Sequence, residues 1–265
     1  MSSRVRPFAR AIALAAVLAV AAAPAAQAKV IEQHLGGATA HTPIVGSDQH
    51  LPPLAATTPY MIDPSVGAKI VAWRKSGGYA ADITGTVVRA RNYLDRWLTK
   101  RCGRDASPAR VRKCRAMLVA DIDDTLVSWY SYYANTDAHW TANAAAEKKV
   151  MEACGTPAIT PSVNLLRYAK GRGVAIVLIT GRSQGHRSFT ASCVKKLGVN
   201  GYRDLVMRSP AQSKTTAARY KSQARRTLVR AGWKIALSLG DQVSDMSGGY
   251  ADAGFLLPNP MYLIP

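Results

Sequence analysis

The chain has 265 residues, and after its first two dozen no stretch approaches the run of about 20 apolar residues that a membrane-spanning helix needs. Its four cysteines, Cys102, Cys114, Cys154 and Cys193, show no C-x-x-C spacing, which argues against a zinc-ribbon or dithiol redox site. No basic run carries interleaved aromatics, so nothing suggests a dedicated nucleic-acid groove. No internal repeat is present, which argues against a solenoid. Acidic residues are scarce: 16 Asp and Glu stand against 35 Lys and Arg, for a formal charge of +19. That imbalance favours anionic partners such as phosphate esters, nucleic acid or acidic polymers. It serves equally well as a solubility device of an exported protein.

The N-terminus points to export. Arg4, Arg6 and Arg10 precede an apolar run from Ala11 to Ala23, and Ala26-Gln27-Ala28 supplies small residues for cleavage. This is the pattern of a secretory signal peptide over residues 1–28, with Lys29 as the expected mature N-terminus. The apolar run is too short for a membrane anchor, and no cysteine near the cleavage site offers a lipid attachment point. In an exported chain an even cysteine count suggests disulfides. Of the three possible pairings, Cys102–Cys114 and Cys154–Cys193 are expected. The first would close the short polar loop Gly103–Lys113. The second would join two segments that follow the strand-end motifs described next.

The scarce acids are concentrated. Met117–Ala120 reads as a buried strand of a parallel sheet, and its end delivers Asp121, Asp123 and Asp124 within four positions. Like charges this close raise each other's pKa, and a divalent cation would relieve them. One carboxylate could attack an electrophile while the other moves a proton. The competing reading is a helix N-cap at Asp124 or Thr125 with acidic neighbours.

In chain order, residues 29–77 read as an extended arm, without clear periodicity up to about Pro64. Its His34, His41 and His50 suit a metal less well than they suit unrelated surface positions. Gly78–Arg101 reads as a helix with Ile83, Val87, Leu94, Trp97 and Leu98 on one face. After the acidic motif come Trp129, Tyr130, Tyr132, Tyr133, His139 and Trp140, then a helix over about Asn143–Cys154 and another that starts at Pro161, runs through Leu165, Leu166 and Tyr168 and is closed by Gly171 and Gly173. Val174–Ile179 is a second apolar strand, ending in Thr180-Gly181-Arg182. A helix with Phe189, Cys193 and Leu197 on one face follows. Leu205–Met207 is a third strand. Pro210–Arg230 is a basic, mainly helical stretch with Tyr220, Ala224 and Leu228 inward. Ile235–Leu239 is a fourth strand, ending in Gly240-Asp241-Gln242-Val243-Ser244-Asp245, and Gly254–Leu257 is a fifth. Strands alternating with helices predict a doubly wound, Rossmann-like parallel α/β sheet. Asp121, Thr180 and Asp241 each follow a strand, so all three should meet at one sheet edge, where open α/β sheets bind ligands. That convergence favours the chemical reading over the capping one.

Asp121-Ile-Asp123-Asp-Thr125, Thr180-Gly181-Arg182 and Gly240-Asp241-Gln-Val-Ser-Asp245 resemble the first, second and fourth motifs of the haloacid dehalogenase (HAD) superfamily of phosphohydrolases. Tyr220-Lys221-Ser222, Gly240-Asp-Gln242 and Leu257-Pro-Asn-Pro-Met-Tyr262 resemble its secreted acid phosphatases, the class B, class C and vegetative-storage-protein group. The resemblance runs over residues 78–265 and implies a HAD-like domain there, with a small cap at about residues 127–160. It implies that Asp121 is the nucleophile, forming an aspartyl-phosphate, and that Asp123 is the general acid and then base. Thr180 and Gly181 would bind phosphate together with Lys221, for which Lys214 is the weaker candidate. Mg²⁺ would take Asp121, Asp123 through its backbone carbonyl, and Asp241, with Asp245 close by. The implied partner is a small-molecule phosphomonoester, with nucleoside monophosphates among the candidates because cap aromatics could stack a base or a phenyl group. A non-catalytic storage or phosphate-binding protein of this fold and a phosphotransferase are the alternatives. The missing lipid-attachment cysteine departs from the class C pattern.

Overall fold

The structure is a computed structural model that describes residues 30–31, 44–46, 60–61, 64–135 and 140–264. The expected leader, its cleavage site, His34, His41, His50 and His139 lie outside the described residues. Three short strands come first, β1 (Val30–Ile31), β2 (Ile44–Gly46) and β3 (Tyr60–Met61). Then follow α1 (Pro64–Lys75), α2 (Gly78–Cys102), α3 (Pro108–Cys114), β4 (Ala116–Ala120), α4 (Tyr130–Tyr133), α5 (Ala144–Ala153) and α6 (Thr160–Gly171). The chain continues through β5 (Ala175–Ser183), α7 (Arg187–Lys196), β6 (Asp204–Arg208), α8 (Ala217–Arg230), β7 (Lys234–Gly240), β8 (Gly254–Leu256) and β9 (Tyr262–Leu263).

The main sheet has the order β1-β2-β8-β7-β4-β5-β6. β2, β8, β7, β4, β5 and β6 all run parallel, and only β1 is antiparallel to its neighbour. β3 and β9 form a separate antiparallel pair. The five strands expected from apolar runs are therefore the parallel centre of an α/β sheet. β4 lies between β7 and β5, and all five of its residues are buried, as a strand covered on both faces must be. Its alternation splits the core. Leu118 and Ala120 pack with α2 and α6, through Leu94, Leu98 and Leu166. Met117 and Val119 pack with Tyr220 of α8 on the other face. Burying Met117, Leu118 or Val119 contributes about 1.5–3 kcal/mol each.

Several elements differ from the sequence-based expectation, among them α3, a helix over Pro108–Cys114 overlapping the stretch expected as the polar loop Gly103–Lys113. Residues 64–75, placed there in an arm, form α1, and its Ile70 joins a cluster with Trp129, Tyr133, Trp140 and Tyr262. The helix escaped notice because it packs on aromatic rings from the cap and the C-terminus, not on the sheet. β2 adds to the sheet edge against β8. On α7 the buried residues are Thr190 and Val194, one position on from the expected Phe189–Cys193–Leu197 stripe, whose members are half-buried. Cys193 is there for its bond: the structure joins Cys154 to Cys193 and Cys102 to Cys114, the expected pairing. The first of these bonds ties the end of α5, in the cap, to α7. Among the described residues no helix is long and apolar enough to cross a membrane.

Candidate active site

The carboxyl ends of β4, β5 and β7 converge. The backbone N–H of Asp121 donates to Leu239 O at 3.0 Å, which locks the turn after β4 to the end of β7. The turn then closes on one carbonyl: Leu126 N donates to Ile122 O at 2.8 Å and Val127 N at 3.1 Å. No helix begins at Asp124 or Thr125, so the capping reading fails. Asp124 instead sits at φ 44°, buried, accepting from Trp129 N at 3.0 Å and from the Tyr262 hydroxyl at 2.8 Å. Asp can adopt this left-handed conformation more readily than most residues.

Asp121, Asp241 and Asp245 are all buried, and one carboxylate oxygen from each lies within 4.8 Å of the others. Lys221, reaching over from α8, donates from Nζ to Asp121 Oδ1 at 3.1 Å and makes a close ion pair with Asp245. Lys214 is exposed, ahead of α8. Burial pushes the Asp121 carboxyl well above the ordinary range; Lys221 opposes this, and Asp245, Asp241 and Asp123 reinforce it. Burial, with the charges of Asp245 and Asp124, raises Asp241 to about 8. Burial alone would lower Lys221, but Asp121 and Asp245 outweigh it and keep the ammonium charged. One lysine thus faces three buried carboxylates of hard oxygen donors, a donor set that fits a divalent cation such as Mg²⁺.

Each carboxylate is held in place. Asp241 accepts from Thr125 Oγ1 at 3.0 Å, Gln242 Nε2 at 2.7 Å and Asn259 Nδ2 at 2.7 Å. Asp245 Oδ2 accepts from Gln242 N at 2.9 Å. Arg225, fully buried, donates from Nε to Gly249 O at 2.9 Å and also binds the carbonyls of Asp245 and Ser247. That clamp fixes the loop after β7. Gly240 is required by close approach: a Cβ there would lie 2.1 Å from Asp245 Oδ2.

Asp123 is more open than Asp121 and faces the cap. Arg182 grips it from Nε to Oδ2 at 2.9 Å and from Nη2 to Oδ1 at 2.6 Å, and the Trp129 indole N–H donates to Oδ1 at 2.6 Å. Burial raises the Asp123 carboxyl, but the Arg182 charge and these hydrogen bonds outweigh it and hold the group below the ordinary carboxylate range. Thr180 is buried, and its Oγ1 accepts from Arg182 N at 3.2 Å; Gly181 is exposed, with open space where a Cβ would stand. Beside Asp123 opens a cleft of about 510 Å³ whose walls include Trp129, Tyr133, Glu147, Arg182 and Tyr262. Of the two tryptophans that follow the first motif, Trp129 lines this cleft. Trp140 packs in the cap cluster, its ring filling the space a Cβ at Gly67 would need.

The sequence alone did not assign Arg182, Trp129, Asp124, Thr125, Asn259 or Tyr262 their contacts. All of these but Trp129 stand inside the quoted motifs, and that adjacency was the available signal.

Residues 54–265 match the family model described as HAD superfamily, subfamily IIIB (Acid phosphatase). Acid phosphatase 1 of Solanum lycopersicum is 34% identical over 152 residues, covering 57% of this chain and 60% of that protein. Vegetative storage protein 1 of Arabidopsis thaliana is 31% identical over 156 residues, covering 56% of this chain and 55% of that protein. The matched stretch therefore spans somewhat over half the length of these curated relatives. The class C acid phosphatase of Bacillus anthracis, solved with tungstate bound, aligns over 76% of this chain and 87% of its own with a TM-score of 0.59. At 18% identity that likeness establishes the shared fold. With the family match covering all the strand-end motifs and the HAD fold built around them, this chain belongs to subfamily IIIB, the acid phosphatases, of the HAD superfamily.

Proposed function

We propose that this protein is an exported, divalent-metal-dependent acid phosphatase that hydrolyses phosphomonoesters through an aspartyl-phosphate. The observation that carries the reading is the buried Asp121 carboxylate, with Lys221 Nζ at 3.1 Å and Asp241 and Asp245 within reach of a shared cation. Its membership of the acid phosphatase subfamily supports the reaction class, and its two disulfides support export. Asp121, Asp241 and Asp245, with the backbone carbonyl of Asp123, would hold Mg²⁺. When bound, that ion offsets the negative charge that gathers as phosphoryl transfer proceeds.

An Asp121 carboxylate oxygen attacks phosphorus, and the ester P–O bond breaks. The departing oxygen takes its proton from Asp123 when that group is protonated. Asp123, now a carboxylate, removes a proton from the water that attacks the acyl phosphate, and this regenerates Asp121 and releases phosphate. Lys221, the Thr180 hydroxyl and the backbone at Gly181 hold the phosphoryl oxygens. Because Arg182 and Trp129 keep Asp123 anionic, the first step favours leaving groups that need little protonation, such as phenols. The aromatic walls of the cleft suit the same esters and also nucleoside monophosphates.

The storage-protein relatives favour a second reading, a non-catalytic protein of the same fold. Turnover of p-nitrophenyl phosphate decides between them. Activity that needs Mg²⁺, disappears on exhaustive chelation and falls by several orders of magnitude in a folded Asp121→Asn protein is the expected result. No turnover by the intact protein at any pH with Mg²⁺ present favours the storage reading.

A further inference from the structure

The edge of the sheet opposite Asp121 is rich in basic residues. In this topology each strand runs toward the carboxylates and each helix returns, so the last turns of α3, α6, α7 and α8 gather at the strands' amino ends. Those turns are basic: Arg112 and Lys113, Lys170, Lys195 and Lys196, and Arg230. The strands that follow begin beside Arg115, Arg203 and Lys234. Cations at helix C-termini complement the helix dipole, which explains one or two per helix. It does not explain why their sum meets so little opposing charge.

The carboxylates on this edge are already engaged. Asp95 pairs with Arg172 at 2.5 Å, Asp105 with Arg110 at 2.7 Å and Asp252 with Arg101 at 3.5 Å, while Asp204 accepts from Leu205 N at 2.7 Å. Between them lies a cleft of about 570 Å³ whose lining includes Arg112, Lys170, Arg203 and Trp233 and no carboxylate. Arg112 is exposed and has no side-chain partner among the described residues. The acidic catalytic pocket and this cationic cleft therefore lie at opposite ends of the same strands.

We infer that the amino edge of the sheet is a docking surface for an acidic polysaccharide, which holds the enzyme while leaving its catalytic edge open to solvent. Guanidinium forks match carboxylates in paired hydrogen bonds. The aromatic rings here are engaged by arginines or by the core. Arg203 and Arg115 lie 4.3 and 4.6 Å from the Trp233 ring centre, Arg91 lies 4.1 Å from that of Tyr168, and Tyr202 packs on the core. Binding of single-stranded nucleic acid without sequence reading depends on stacking of bases on aromatic rings as well as on charge, so a polymer of charged sugars fits better than a single strand.

Binding of the full-length protein to polygalacturonate tests this independently of whether it is a phosphatase. The intact protein should bind at low ionic strength and release as salt screens the contact. The combined variant Arg112→Ser, Lys196→Ser, Lys234→Ser, three exposed positions remote from the carboxylates, should weaken binding by about tenfold or more. The charge-preserving variant Arg112→Lys should retain most of it. Saturating inorganic phosphate at the catalytic site should not displace the polymer. Unchanged affinity in the triple variant, or displacement by phosphate, overturns the proposal. Tighter binding of oligothymidylate of equal charge overturns the choice of partner.

Discussion

Arg182 Nε lies 2.9 Å from one oxygen of Asp123, and its Nη2 lies 2.6 Å from the other, a two-pronged contact at the mouth of the site. The two residues lie 59 positions apart, at the ends of neighbouring strands. Arg182 is itself buried, and burial alone would lower its pKa, but the Asp123 charge and hydrogen bonds raise it. In the proposed two-step hydrolysis, this contact prepares Asp123 for one half of the reaction. An anionic Asp123 is ready to accept a proton from water and unready to donate one.

Removing that grip should therefore move a pH profile. In Arg182→Gln the Asp123 carboxyl rises toward and past the ordinary carboxylate value, because burial is then less opposed. The acid limb of the turnover profile, where the base is lost, should shift to higher pH. Stability should follow by linkage. A depressed carboxyl stabilises the fold above its unfolded pKa of about 3.9, and that stability is lost as pH falls through the folded value. The variant should thus melt below the intact protein at neutral pH and converge with it in acid. A limb that stays in place shows that Arg182 does not govern Asp123.

Asp241 predicts the opposite slope. Its carboxyl is raised to about 8 by burial and by the charges of Asp245 and Asp124. Such a group stabilises the fold fully below its unfolded pKa of about 3.9, and that stability is lost as pH rises through the folded value. The chelated protein should therefore lose thermal stability between about pH 4 and 8. Saturating Mg²⁺ should flatten that decline and raise the melting temperature most at the alkaline end. Asp241→Asn should flatten it without Mg²⁺ and should bind Mg²⁺ weakly in calorimetry. A chelated protein with no such slope removes the carboxylate-repulsion account.

The strands of this site were legible because a buried parallel strand is a short apolar run, and Asp121, Thr180 and Asp241 each stand at the end of one. The partners were not legible. Tyr262 reaches Asp124 across 138 residues and Thr125 reaches Asp241 across 116, and no periodicity encodes a contact between such distant positions. Arg225 shows the same limit within one helix. Apolar spacing on α8 pointed Tyr220, Ala224 and Leu228 inward, yet Arg225, the residue after Ala224, is fully buried, because the loop after β7 presents carbonyls to it. α1 was missed because its partners are the cap and the C-terminal tail, two segments with no regular pattern of their own.

Gly240 should tolerate no side chain. In Gly240→Ala the new Cβ would stand 2.1 Å from Asp245 Oδ2, so the carboxylate must turn away from Gln242 N and from the cation position. Overpacking of this kind costs about 1–3 kcal/mol. The fold should survive with a lowered melting temperature, while Mg²⁺ affinity and turnover fall together. Preserved Mg²⁺ affinity in this variant would falsify the assignment of Asp245 to the cation site.

The two tryptophans of the cap should behave differently, and that difference tests the shape of the leaving-group site. Trp129 has two roles: its indole N–H donates to Asp123, and its ring lines the cleft. Trp129→Phe keeps a ring and removes the donor. With Asp123 held less firmly as the anion, the kcat preference for aryl over aliphatic esters should narrow, with KM for p-nitrophenyl phosphate little changed. Trp129→Ala removes both, and should raise KM for p-nitrophenyl phosphate and nucleoside monophosphates more than for glycerol phosphate. Trp140 packs edge-on against Tyr130 at 6.1 Å between ring centres and against Gly67, away from the cleft. Trp140→Ala should cost about 3–5 kcal/mol of stability, as deletion of a buried aromatic does, and leave the aryl preference of the surviving folded protein intact. Melting curves and kcat/KM ratios on the purified variants separate these effects. If Trp129→Ala leaves the aryl-to-aliphatic ratio unchanged, the Trp129 ring supports the cap and does not contact the leaving group.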